Sequence, residues 1–173
     1  MMDYRQLRRL FVPKLEEYLD DKDCRVVSLR PDAPKPDYPY LGYTLITPYS
    51  PGVGFVATEG VTDGTDGWEY DFQYDFVHQP TVTFSFTACA ADEDTATEIA
   101  KLTHEWFEFV GYMYLSQNGV VVVEAMDVEN RDTMLDDDLE FRRGFDVRLR
   151  LTDRVRQRLE TIEEVRTRKG EIG

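Results

Sequence analysis

Few residues of this chain have the type and spacing for chemistry. Asp136, Asp137 and Asp138 stand in a row, and clustered carboxylates can hold a divalent metal for phosphoryl chemistry. Three consecutive side chains of a regular strand cannot all face one ion. Arg131, Arg142 and Arg143 also flank the run, so a charged interaction loop is the expected reading, with a metal-dependent nuclease or phosphatase as its rival. Asp63-Gly64-Thr65-Asp66-Gly67 offers carboxylates to calcium but lacks a complete loop pattern and a distal glutamate. Asp-Gly is turn chemistry. His78 and His104 have no convergent partner nearby in sequence, which metal or acid–base work would need. Cys24 and Cys89 form no metal or redox spacing and read as two reduced thiols. Nucleophile elbow, Walker loop and dinucleotide fingerprint are all missing from the sequence. The expectation is a protein with no catalytic residue, cofactor or metal.

The elements that would position these residues come from a chain of 173 residues, enough for one compact domain spanning 1–173. A composition 42% hydrophobic and 31% charged is that of a globular protein rather than a disordered one. Thirty-four acidic residues against twenty basic ones leave a net charge of -14, which repels a phosphate backbone and argues against general nucleic-acid binding. No apolar run approaches the roughly 18–20 residues that cross a membrane. The N-terminus has charge but no apolar core of a signal peptide.

Asp3 to Leu19 reads as a helix with Leu7, Leu10 and Phe11 on one face, and Pro13 is expected to kink or split it. A strand at Arg25 to Leu29 precedes a connector with four prolines between Pro31 and Pro39. Tyr40 to Thr47 reads as a strand closed by Pro48. A glycine-rich loop follows from Tyr49 to Gly67, with room for a short hairpin around Phe55 to Thr58. Trp68, Tyr70, Phe72, Tyr74 and Phe76 alternate with mostly polar residues, as a strand with one buried face does. The aromatic face is expected in the core; a nucleobase platform is opposed by Glu69, Asp71 and Asp75. Alternation resumes with Val82, Phe84, Phe86 and Ala88, so the two runs could pair or form one strand bent at Pro80. Thr95-Ala96-Thr97-Glu98 matches a capping box. Ile99, Leu102, Trp106 and Phe109 then form one helical stripe, stopped by Gly111. Strands are expected at Gly119 to Met126 and Gly144 to Thr152, with a charged, irregular segment from Asp127 to Arg143 between them that has room for a short strand. Residues 153–168 suit helix or strand. The fold class is α+β: a mostly antiparallel sheet packed on one long amphipathic helix (about 92–110), plus the N-terminal helix.

Three segments in order carry a resemblance. They are Tyr38-Pro39-Tyr40-Leu41-Gly42-Tyr43 followed by Pro48-Tyr49; Gln79 to Ala88 leading to His104-Glu105-Trp106-Phe107; and Asn130-Arg131-Asp132 with Glu140 to Arg150. Together, over roughly residues 38–165, they resemble the phage neck/tail-terminator family, also described as tail-completion proteins. The resemblance implies a small α+β subunit forming a closed ring, typically a hexamer, at the neck of the virion. Such a ring caps the tail tube, stops its polymerisation and joins it to the head-side connector. DNA passes through its lumen without specific binding, and no membrane is involved. The family supplies no catalytic residues. The expected contact elements are the Tyr49–Gly67 loop and the Asp127–Arg143 segment, with Arg131, Asp132, Arg142 and Arg143 as interface residues. The alternative is another neck or tail part, such as a head-closure or tail-tube protein.

Overall fold

A computed structural model of the chain describes residues 3–60 and 72–159. Helix α1 (Tyr4–Tyr18) starts at a reciprocal cap: the Asp3 side chain accepts from the Arg5 N–H, and the Gln6 side chain accepts from the Asp3 N–H. Leu7, Phe11 and Leu15, spaced by four, are fully buried. Pro13 neither splits nor ends the helix. Loss of one ladder bond is outweighed here by the anchors on both sides of it, with Phe11 edge-on to Tyr43, Phe84, Phe86 and Phe107.

The large sheet runs β1 (Arg25–Ser28), β2 (Tyr40–Ser50), β5 (Thr81–Ala90), β9 (Asp138–Arg150) and β6 (Val121–Ala125), with the short β7 (Glu129–Asn130) and β8 (Thr133–Leu135) also paired to β9. Within this sheet only the β1–β2 pair is parallel. The expected α+β class is what the structure has. Val82, Phe84, Phe86 and Ala88 of β5 and Phe145, Val147 and Leu149 of β9 form the core face, as alternation required. Pro48 does not close β2. The strand continues to Ser50 through register shifts between Leu45 and Ser50, the kind of irregularity that tolerates a missing donor.

The long helix covers the expected span of about 92–110, Glu93 to Val110, but its cap is not the expected Thr95 box. Its cap is Asp92, three residues before Thr95. The Asp92 carboxylate accepts from the Thr95 N–H and hydroxyl, both at 2.8 Å, and α2 then runs Glu93–Glu105. Trp106–Val110 continues it as a π-helix. Widening the turn rotates the stripe, so Phe107 is fully buried while Phe109 is 83% exposed. Gly111 is no stop. After it the chain enters α3 (Tyr112–Gln117), which ends before Gly119 at φ 78°. Gly111 is needed for space: a Cβ there would lie 2.5 Å from the Trp106 indole.

A second sheet has the order β10 (Asp153–Leu159), β4 (Phe72–His78) and β3 (Gly54–Gly60). The chain accordingly divides into two compact units, a large one of Met1–Val53 with Gln79–Asp153 and a small one of Gly54–His78 with Arg154–Gly173. The runs on either side of Pro80 thus neither pair nor form one bent strand; they belong to different sheets. The polarity of β4 is the reverse of the expected one. Gln73 and Asp75 are buried, whereas Phe76 is 41% exposed. Asp75 is held by Arg156 through two bonds of 2.9 and 3.1 Å, with Arg154 at 3.5 Å, and a desolvated carboxylate requires such partners. Trp68–Asp71, the turn expected at Asp63–Gly67 and the 160–168 part of the ambiguous C-terminal segment lie outside the described residues.

Candidate functional site

The triple-aspartate run is a turn. Thr133 pairs with Glu140, Met134 with Leu139 and Leu135 with Asp138, leaving Asp136 and Asp137 as a two-residue hairpin loop. Both have positive φ, 47° and 73°, as the tightest right-twisting hairpin turns demand. Alternate carboxylates then diverge, and no group of three metal-ligating side chains occurs among the described residues. The expected irregular segment Asp127–Arg143 is therefore largely strand. Its hairpin presents Met134, 64% exposed, opposite exposed Leu139.

Arg131, Asp132, Arg142 and Arg143 come together at the base of this hairpin. Asp132 accepts from the Arg142 N–H at 2.7 Å and from the Arg143 guanidinium. These bonds, the backbone one foremost, hold the Asp132 carboxyl below its usual range. Arg143 is buried and also reaches Glu93 at the start of α2, at 2.6 Å. Arg131 lies across the sheet to Ser85 Oγ at 2.7 Å and Asp146 at 3.2 Å. It can do so because Gly144 has no side chain: a Cβ there would sit 2.8 Å from the Arg131 Cδ and 2.7 Å from the Phe86 carbonyl oxygen.

Beside them is a residue that sequence reasoning missed. The Glu140 side chain is buried, and Lys35, Tyr38 and Arg142 all donate to it or pair with it. Burial opposes its ionisation, but the hydrogen bonds from Lys35, Tyr38 and Arg142 prevail and keep its carboxyl below the ordinary value. Glu140 thereby staples the proline-rich connector to β9. The alternation of Glu140 with Arg142 on one face of β9 was visible in sequence. Lys35 and Tyr38 carried no local signal.

The remaining candidates for chemistry are structural. His104 is edge-on to Phe145 and 3.5 Å from Glu108. His78 stacks on Phe76. Cys24 and Cys89 are buried free thiols, and burial pushes Cys24 up to about 12, far from a reactive thiolate. A groove of about 390 Å³ lies between α1 and the π-turn, lined by Tyr18, Trp106, Val110, Gly111 and Tyr114, with the Lys14–Glu17 ion pair beside it. It is mostly apolar and gathers no acid–base pair.

What the geometry offers is surface, and one comparison says of what kind: the family model described as phage neck terminator protein matches residues 4–172. The chain belongs to that family. As a neck terminator it is a structural virion protein. The matched span takes in α1, which lies outside the 38–165 stretch that carried the resemblance, and the glycine-rich segment, which carried none of its motifs. A neck protein associates with other phage head or tail proteins. No helix among the described residues is long and apolar enough to cross a membrane. No curated protein matches the chain.

Proposed function

We propose that this neck terminator works as a closed ring of identical subunits, six by family analogy, seated on the last ring of the tail tube. One ring face matches the tube. The opposite face differs, so no further tube subunit adds, and it meets the head-side connector instead. DNA passes through the lumen unbound. The family match over 4–172 carries this reading, and two features support it. The net charge of -14 disfavours retention of a polyanion. The described surfaces are suited to protein contact, with the β8–β9 hairpin raising Met134 and Leu139 out of a braced base.

In this reading Arg131, Asp132, Arg142 and Arg143 serve the interface from the base of the hairpin, by fixing its direction through their ion pairs, and the apolar tip makes the contact. Replacing Arg142 and Arg143 by glutamate impairs ring closure or docking. It also removes the Glu93 and Asp132 pairs, so Met134→Asp with Leu139→Asp is the sharper variant. It should fold normally, because both side chains are exposed, and yield phage with unjoined or over-long tails. Electron microscopy of phage lacking the gene tests the whole reading: long or unattached tails are expected, and particles with tails of normal length attached to heads would refute it.

A further inference from the structure

The exposed hairpin tip and a pocket of the same unit complement each other in shape and charge. Met134 and Leu139 are cross-strand partners, so their exposed side chains share one face. Asp138 adjoins Leu139, and neither it nor Asp136 or Asp137 has a side-chain partner among the described residues. The tip is thus an apolar pair edged by carboxylates. Between the proline-rich connector and strands β1, β2 and β9 lies a mostly apolar pocket of about 370 Å³. Leu29, Ala33 and Pro34 help to wall it, and Arg30, Lys35 and Arg142 bring three cations to it. Lys35 and Arg142 share the single carboxylate of Glu140, and Arg30 has no side-chain partner among the described residues. Three cations against one carboxylate leave this pocket positive in a chain of net charge -14. Asp32 and Asp37 belong to the connector but do not line the pocket.

We propose that this pocket receives the hairpin tip of a second copy of the chain, with Met134 as the inserted side chain. The inference rests on the ring reading and its tip contact, and it names what the tip meets. A subunit cannot fill its own pocket this way. Strand β9 runs unbroken from Asp138 to Arg150, and at about 3.3 Å per residue it carries the tip away from Arg142. Size agrees, since about 370 Å³ holds one side chain and part of a second, and a flexible thioether adapts to an irregular wall. Apolar burial holds the contact, while Asp138 against the cationic rim fixes its register. Asp136 and Asp137 add only to the attraction at a distance, so neutralising them leaves the contact in place. Tip and pocket are different surfaces, so the contact is head-to-tail. Each copy gives one tip and receives one, the arrangement that closes into a ring.

The test is native mass measurement on the full chain, with two variants at exposed positions: Met134→Asp with Leu139→Asp at the tip, and Arg30→Glu with Ala33→Glu at the pocket. Each alone should be a single copy with an unfolding midpoint near that of the unaltered chain. Mixed, they should give a two-copy complex of one each and nothing larger, because only the tip of one variant and the pocket of the other remain. A pocket variant that assembles as the unaltered chain does, or a mixture that stays single, overturns the pocket as receiver and leaves the ring and the tip contact standing. A tip variant that still forms rings overturns the tip contact and this inference with it. An unaltered chain that is a single copy at its highest soluble concentration overturns the ring as well. A folding defect in either variant is bypassed by Met134→Cys and Ala33→Cys with a short bismaleimide, Cys24 and Cys89 being buried. Cross-links between the two variants support the contact; no cross-link, or links only between like variants, overturns it.

Discussion

Glu140 and the Asp136-Asp137 pair show how differently carboxylates four residues apart can be used. Glu140 is buried and gains its stability from Lys35, Tyr38 and Arg142. Glu140→Gln keeps the shape and loses the charge. It should lower unfolding stability by about 2 kcal/mol, less than the roughly 3–5 for a fully buried pair, because Lys35 and Arg142 still meet water. The folded carboxyl lies below its unfolded value. Its contribution is therefore complete above the unfolded glutamate pKa and is lost as pH falls through the depressed folded one. Urea titrations of both proteins should show a gap at neutral pH that narrows in acid; a gap independent of pH would refute the assignment. Asp136 and Asp137, by contrast, are held at positive φ, where Asn-Gly is the favoured pair. Asp136→Asn with Asp137→Gly should raise stability by about 1 kcal/mol and leave assembly unchanged, whereas residues needed for a metal would not tolerate the change.

At the level of elements, the π-turn decides which aromatic is core. An uninterrupted stripe through Ile99, Leu102 and Trp106 would bury Phe109. The widened turn buries Phe107 instead, 4.9 Å between ring centres from both Phe86 and Trp106. Phe107→Ala should cost about 3–5 kcal/mol, while Phe109→Gln should stay within about 0.5 kcal/mol, both read from chemical denaturation. The opposite ranking would restore a regular helix. Strand β9 makes a similar demand at Gly144, where even a methyl group meets the Phe86 carbonyl; Gly144→Ala should cost about 2 kcal/mol and unseat Arg131. These elements also mark what could be read in advance. Strands β5 and β9 and the body of α2 were legible because burying one face writes its period into consecutive residues. The π-turn was not, since one inserted backbone step alters no composition. The polarity of β4 was not either, because Asp75 is made a buried residue by an arginine 81 positions away. Likewise the Asp136–Asp138 turn was visible as polar, but its type depends on a strand pairing, and the Glu140 clasp spans 102 residues to Tyr38.

For the whole molecule, charge and assembly pull in opposite directions. Six copies at -14 each would bring dozens of like charges within a few tens of ångströms, and at about 0.01 M salt the screening length of about 30 Å lets that repulsion act across the ring. The proposed contact is short-range: Met134 and Leu139 on a neighbour. Apolar burial is little weakened by moderate salt. Raising salt to about 0.15 M shortens screening to about 8 Å and should therefore favour the ring. Sedimentation or native mass across that range should show single copies giving way to closed rings as salt rises. Assembly held mainly by complementary charge would show the reverse, with rings coming apart as salt is added, and would place the subunit contact on charged side chains rather than on the apolar hairpin tip.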